Sequence, residues 1–198
     1  MTILNIAVWG LGSHAKNRIL PLLSTTDKIK MVGVCSRDGE MVKICAEQWS
    51  CYGWNDPLQM LNSNEVDVVY IATPIGTHFS LAQQAIEAGK HVWCEKPLTC
   101  SYSDTQALVM LAEEKGKILT ESFMYLFHPQ FQRVKKFVGD SKRIYSVICR
   151  FGIPNLDKPG FRNNPKLCGG ALWDVATYTT SALLSLFPDQ QVEVIFAE

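Results

Sequence analysis

The sequence has no surplus of charge, no closely spaced cysteine pair, no long apolar run and no basic N-terminal region. Each absence excludes something. Lys and Arg together number 19 and Asp and Glu number 19, a formal net charge of zero. That balance gives no electrostatic case for nucleic acid or an anionic membrane as the main partner. Cysteine stands at 35, 45, 51, 94, 100, 149 and 168. The count is odd and no C-x-x-C occurs, so reduced thiols are expected rather than a disulfide framework or a zinc site. No metal site is expected elsewhere. No apolar stretch approaches the roughly 18 residues that span a bilayer. The opening MTILNIAVWG has no basic residues ahead of its apolar run, as a signal peptide would. A soluble, cytoplasmic protein is therefore expected, with no nucleic-acid or membrane partner. Repeats and low-complexity segments are also missing.

What is present is enough for a core. The chain has 198 residues, 47% hydrophobic and only 19% charged, which argues against disorder. Ile3 to Trp9, Lys30 to Cys35 and Val66 to Ala72 are short, nearly continuous apolar runs. Such runs suit strands buried on both faces. Helical stretches follow each: Ser13 to Leu23, Gly39 to Trp49 and Thr77 to Ala88, the last stopped by Gly89. Asn55-Asp56-Pro57 reads as a further helix start. His91 to Cys94 and Ile118 to Ser122 are brief strands flanking a helix that Ser101 to Asp104 would cap and Gly116 would end. Strand and helix in alternation predict a doubly wound α/β fold with a parallel sheet. After about residue 122 the pattern changes. A helix is expected from Pro129 to Val138 and strands at Arg143 to Phe151 and Gln191 to Phe196. Gly152 to Cys168 reads as a loop, and Gly170 to Leu186 as a helix before Pro188.

Gly10-Leu11-Gly12-Ser13-His14-Ala15 fits G-x-G-x-x-A between a buried strand and a helix. Gly10 permits the tight turn, Gly12 lets the backbone approach a pyrophosphate, and Ala15 lets the helix pack on the sheet. N–H groups at the helix start, from Ser13 and His14 on, would bind phosphates. The second strand ends Cys35-Ser36-Arg37-Asp38. NAD-selective folds set an acidic residue at this tip to hold the ribose 2′-OH. Here Ser36 and Arg37 suit a 2′-phosphate, which Arg engages with paired hydrogen bonds. NADP is therefore expected in preference to NAD. Asp38 argues the other way if the strand runs longer.

Two further stretches follow: Ala72-Thr73-Pro74-Ile75-Gly76-Thr77-His78, then Glu95-Lys96-Pro97-Leu98. A third is Gly169-Gly170-Ala171-Leu172-Trp173-Asp174 with Tyr178 beyond it. Together with the glycine turn, these resemble the glucose-fructose oxidoreductase / inositol dehydrogenase (Gfo/Idh/MocA) family of NAD(P)-dependent oxidoreductases. The resemblance implies a Rossmann domain followed by an α/β domain with an open-faced sheet, often an oligomer interface. It implies that Thr73, Pro74 and His78 line the nicotinamide end, that Glu95 helps hold the cofactor, and that Lys96 reaches the reacting oxygen of a sugar-like or cyclitol substrate. In relatives the bond before the proline is often cis. Departures are Ala176, where relatives usually have Gly, and Tyr178, where many have His.

The chemistry agrees with these roles. Hydride transfer to or from a carbinol needs a proton shuttle and a cation beside the oxygen. Lys96 supplies the charge. Asp174 and Tyr178, four residues apart, share one helix face. A nearby Lys would lower the Tyr178 phenol for acid/base work, with Asp174 orienting substrate or Lys96. The ordinary alternatives are a surface lysine and a buried polar pair. By pattern, residues 1–122 make a cofactor domain and 123–198 the start of a second, incomplete one. Three readings follow: an oxidoreductase completed by homo-oligomerisation, a truncated dinucleotide-binding protein with little catalysis, or one half of a split enzyme.

Overall fold

Residues 3–141, 143–155, 157 and 160–196 are described by a computed structural model. Its strands are β1 (Leu4–Trp9), β2 (Ile29–Cys35), β3 (Tyr52–Trp54), β4 (Val68–Ile71), β5 (His91–Glu95) and β6 (Leu119–Ser122). They form one six-stranded sheet in the order β3-β2-β1-β4-β5-β6, with every neighbouring pair parallel. This is the dinucleotide-binding order, with its topological switch between β1 and β4. The expected doubly wound α/β fold is observed.

Alternation along β1 distributes the core between two layers. Ala7 and Trp9 face one layer, with Met60 of α3 (Pro57–Leu61), Ala82 and Ile86 of α4 (His78–Glu87) and Leu108 of α5 (Tyr102–Glu114). Ile6 and Val8 face the other, with Leu20 and Leu23 of α1 (Leu20–Leu23) and Val42 and Cys45 of α2 (Gly39–Trp49). Both sheet faces are thus covered, which is why the strands read as unbroken apolar runs. A π-helical turn, Ala15–Ile19, precedes α1. Side chains cap the helices, at Asp56 and Ser101 as expected and at Asp38 besides. Asp38 accepts from Met41 N, Asp56 from Leu58 N and Ser101 from Asp104 N. The strand β3 is not announced by the sequence; three residues are too few to show a period.

Beyond Ser122 the expectations fare differently. Helices α6 (Pro129–Asp140) and α7 (Thr177–Leu186) form where predicted, α7 continuing a π-helical turn at Leu172–Ala176. Residues 143–151 and 191–196 form no strand, contrary to expectation. An extended segment becomes a strand only by pairing, and among the described residues no strand pairs with either one. Their apolar side chains, Tyr145, Ile148, Val194 and Phe196 among them, stand exposed. The expected loop before Cys168 contains two short 3-10 turns, Gly160–Asn163 and Pro165–Leu167. Residues 156 and 158–159 of that loop lie outside the described residues. No helix among the described residues is long and apolar enough to cross a membrane.

Candidate active site

The glycine turn leaves β1 at the switch point. Gly10 has φ +108, and a Cβ there would lie 2.6 Å from the carbonyl oxygen of Ala72, just beyond β4. Glycine is required on both counts. Gly12 is different: nothing lies within 4 Å of where its Cβ would be. The space above it is open, as a backbone approaching a pyrophosphate needs. Ala15 is fully buried against the sheet, while Ser13 and His14 are exposed at the helix start.

At the tip of β2 the strand ends at Cys35, short of Asp38. Asp38 is committed to capping α2. Ser36 is held by its N–H to the Trp54 carbonyl and by its hydroxyl, which accepts from Asp38 N. Arg37 is exposed beside it. One Asp38 carboxylate oxygen is thus engaged by the helix start, and the strand ends before reaching it.

Beyond β4, the Thr77 hydroxyl lies 2.7 Å from both Thr73 Oγ1 and the Pro74 carbonyl. His78 does not face the cleft as expected. It is 1% exposed. Its Nδ1 lies 2.9 Å from the Pro97 carbonyl and its Nε2 2.9 Å from that of Thr73. It braces the two loops from behind. Burial pushes its pKa down, against those carbonyls and Glu95, which pull it up. Glu95, at the end of β5, accepts from the Tyr70 hydroxyl and lies 3.0 Å from His14 Nε2. Burial alone would raise the Glu95 carboxyl, but these hydrogen bonds outweigh it and hold it below the usual range. The sequence gives no hint of Tyr70, which sits inside an apolar strand.

The Lys96–Pro97 peptide is cis. Lys96 Nζ donates to the Asp174 carbonyl at 2.6 Å and lies 3.2 Å from Asp174 Oδ1. Asp174 Oδ2 accepts from Arg162 Nε at 2.6 Å. Asp174 is 7% exposed, so two cations offset its desolvation. Lys96 Nζ also lies 4.6 Å above the centre of the Tyr178 ring, within cation–π range. The ring stacks on Phe151 and meets Phe123 edge-on. The phenol is not lowered, as expected from the sequence, but raised: burial dominates, and the negative Glu95 and Asp174 add to it. Lys96 covers the ring face instead of overriding these effects.

Arg162 was not foreseen. It sits in a Pro/Gly/Asn-rich loop, where nothing in the spacing points to Asp174. Cys100 and Cys168 are joined by a disulfide, with Cα atoms 6.1 Å apart. This corrects the expectation of reduced thiols for that pair. A separation of 68 residues offers no local signal, and the fold alone brings them together. Cys35, Cys45, Cys51, Cys94 and Cys149 are free. No metal-binding cluster occurs among the described residues.

Residues 4–123 match the family model GFO_IDH_MocA, described as an oxidoreductase family with an NAD-binding Rossmann fold. The chain belongs to this family. A relative from Saccharopolyspora spinosa, dTDP-3,4-didehydro-2,6-dideoxy-alpha-D-glucose 3-reductase, is 34% identical over 179 residues, covering 89% of this chain and 54% of that protein. Among solved structures, an aldose-aldose oxidoreductase from Caulobacter crescentus with bound glycerol superposes with TM-score 0.90 at 26% identity, over 96% of this chain and 59% of that one. A 3-ketoreductase from Actinomadura kijaniata, solved with NADP and TDP-benzene, gives TM-score 0.80 at 29% identity, over 89% of this chain and 55% of that one. This family member thus spans little more than half the length of the relatives it matches.

Proposed function

We propose that the chain is an oxidoreductase that transfers a hydride between NADP, in preference to NAD, and the carbinol or ketone of a sugar, cyclitol or related compound. In this reading residues 1–122 hold the cofactor and the segment from 123 begins the substrate-binding part. The observation that carries it is the convergence of Lys96, Asp174 and Tyr178, from two distant stretches, just beyond the carboxyl end of β5.

The open space over Gly12, the exposed Ser13 and His14, and the Ser36-Arg37 tip fit a dinucleotide phosphate and a ribose 2′-phosphate. When bound, the nicotinamide supplies or accepts the hydride. Thr73 and Glu95 stand beside its end of the cleft, with Pro74 next to Thr73. Lys96 brings a positive charge to the substrate oxygen as negative charge develops there. Tyr178, its phenol raised, stays protonated through neutral pH and donates to that oxygen in the reducing direction. Asp174 already accepts from Lys96 and Arg162, so it orients them and does not take the proton. The NADP bound to the Actinomadura 3-ketoreductase supports the cofactor choice.

A second reading, dinucleotide binding with little turnover, is favoured by the exposed apolar side chains of 144–153 and 192–196. A homo-oligomer covering them belongs to the first reading. A cytoplasmic location also belongs to it, although the Cys100–Cys168 bond is unusual in a reducing compartment. The test is NADPH oxidation by purified chain with a panel of keto-sugars. Turnover with any of them supports the enzyme. NADPH binding without turnover across the panel supports the second reading instead.

A further inference from the structure

We propose that Arg162 is a substrate-binding residue that takes an oxyanion of the substrate, a carboxylate or a phosphate, in the cavity beside Asp174. The proposal deepens the hydride-transfer reading by naming the charge class of its substrate. Arg162 engages Asp174 through Nε alone. Among the described residues its two terminal nitrogens make no hydrogen bond, and its side chain is 39% exposed. A brace for Asp174 would use the paired fork, which matches a carboxylate with two parallel hydrogen bonds. Here the guanidinium lies 5.0 Å over the Phe161 ring centre, and its terminal nitrogens are left without a hydrogen-bond partner among the described residues.

Arg162 lines a cavity of ≈ 330 Å³ together with Asn155, Asn163, Gly170 and Asp174. That volume suits a small ligand, and two amides at its wall offer further donors. Charge points the same way. Lys96 and Arg162 both bear on the one Asp174 carboxylate, so two cations contact a single anion there. Glu95 is not a second contacting anion, since its hydrogen bonds go to Tyr70 and His14. A neutral sugar would leave two cations sharing one contacting carboxylate, whereas an anionic one adds a second anion. Phosphate and carboxylate each present a pair of oxygens that the guanidinium fork can engage with two hydrogen bonds.

The test is a calorimetric titration of the full chain, with and without NADPH, using thymidine diphosphate, gluconate and glucose as probes. At least one anion is expected to bind more tightly than glucose. Arg162→Gln should weaken that anion by about tenfold or more, leaving NADPH affinity as it was. Arg162→Lys, which keeps the charge without the fork, should fall between. Arg162 dependence confined to the diphosphate assigns a phosphate, and dependence confined to gluconate assigns a carboxylate. Anions that bind no better than glucose, or equally well to wild type and Arg162→Gln, overturn the proposal. If Arg162→Gln loses its folded circular dichroism, undiminished anion binding by Arg162→Lys overturns it equally. Arg162-dependent anion binding in a chain that ignores NADPH would sink the hydride-transfer reading while leaving this anion site standing.

Discussion

Every buried hydrophobic side chain among the described residues lies between Ile6 and Ala112, whereas beyond Ser122 the one buried residue is Asp174, a carboxylate. The sheet half is held by two apolar layers. The later segment is held where it touches the site: Asp174 on Lys96, Cys168 on Cys100, and Tyr178 under Lys96. A further contact is steric, because a Cβ on Gly76 would lie 2.8 Å from the Leu167 backbone. The difference teaches that docking the second segment and assembling the Lys96–Asp174–Tyr178 cluster are one event. The sheet needs no such help.

The comparison breaks most sharply at Lys96. Lys96→Met should cost about a hundredfold to a thousandfold in turnover, yet leave NADPH binding close to wild type in a fluorescence titration. Full turnover would remove Lys96 from the mechanism. Next comes the core. Ile86→Ala, at 0% exposure in the sheet half, should lose about 3 kcal/mol by denaturant unfolding. Ile148→Ala, at 76% exposure in the later segment, should change stability by less than about 0.5 kcal/mol. Equal losses would mean the later segment has a core of its own.

Reducing Cys100–Cys168 should cost about 2 kcal/mol, the low end of what a disulfide contributes. The loss should fall on the later segment, read as faster proteolysis beyond residue 123 with the sheet half intact. Uniform loosening of both parts would contradict the comparison. The pH effect is the smallest. Because the Tyr178 phenol is raised, ketone reduction should hold steady through neutral pH and decline only above the ordinary phenol range, near 10. Tyr178→Phe should lose that alkaline limb along with activity. A limb below 10 would show that Lys96 outweighs burial after all.

The sheet half was legible because strands buried on both faces write themselves as apolar runs, and because Gly10 answers to a positive φ and to the close approach of Ala72 and Thr73. The switch-point geometry followed from strand order. The later segment was less legible for a physical reason. Arg143–Phe151 and Gln191–Phe196 have the composition of strands, but composition does not supply a partner. Lys96, Asp174 and Tyr178 were found through a family motif, not through their spacing. Arg162, Tyr70 and the Cys100–Cys168 bond left no local signal, since each acts through a residue brought near only by folding. The direction of the Tyr178 shift needed the same knowledge: how deeply the ring is buried and which carboxylates face it.

The central claim is that the sheet half is a dinucleotide site whose Ser36-Arg37 tip favours NADP. Parallel titrations of the purified chain with NADPH and NADH, read by nicotinamide fluorescence, test it most directly. Tighter binding of NADPH, lost on Arg37→Glu, is the predicted result. Tighter binding of NADH, or binding of neither, would contradict it.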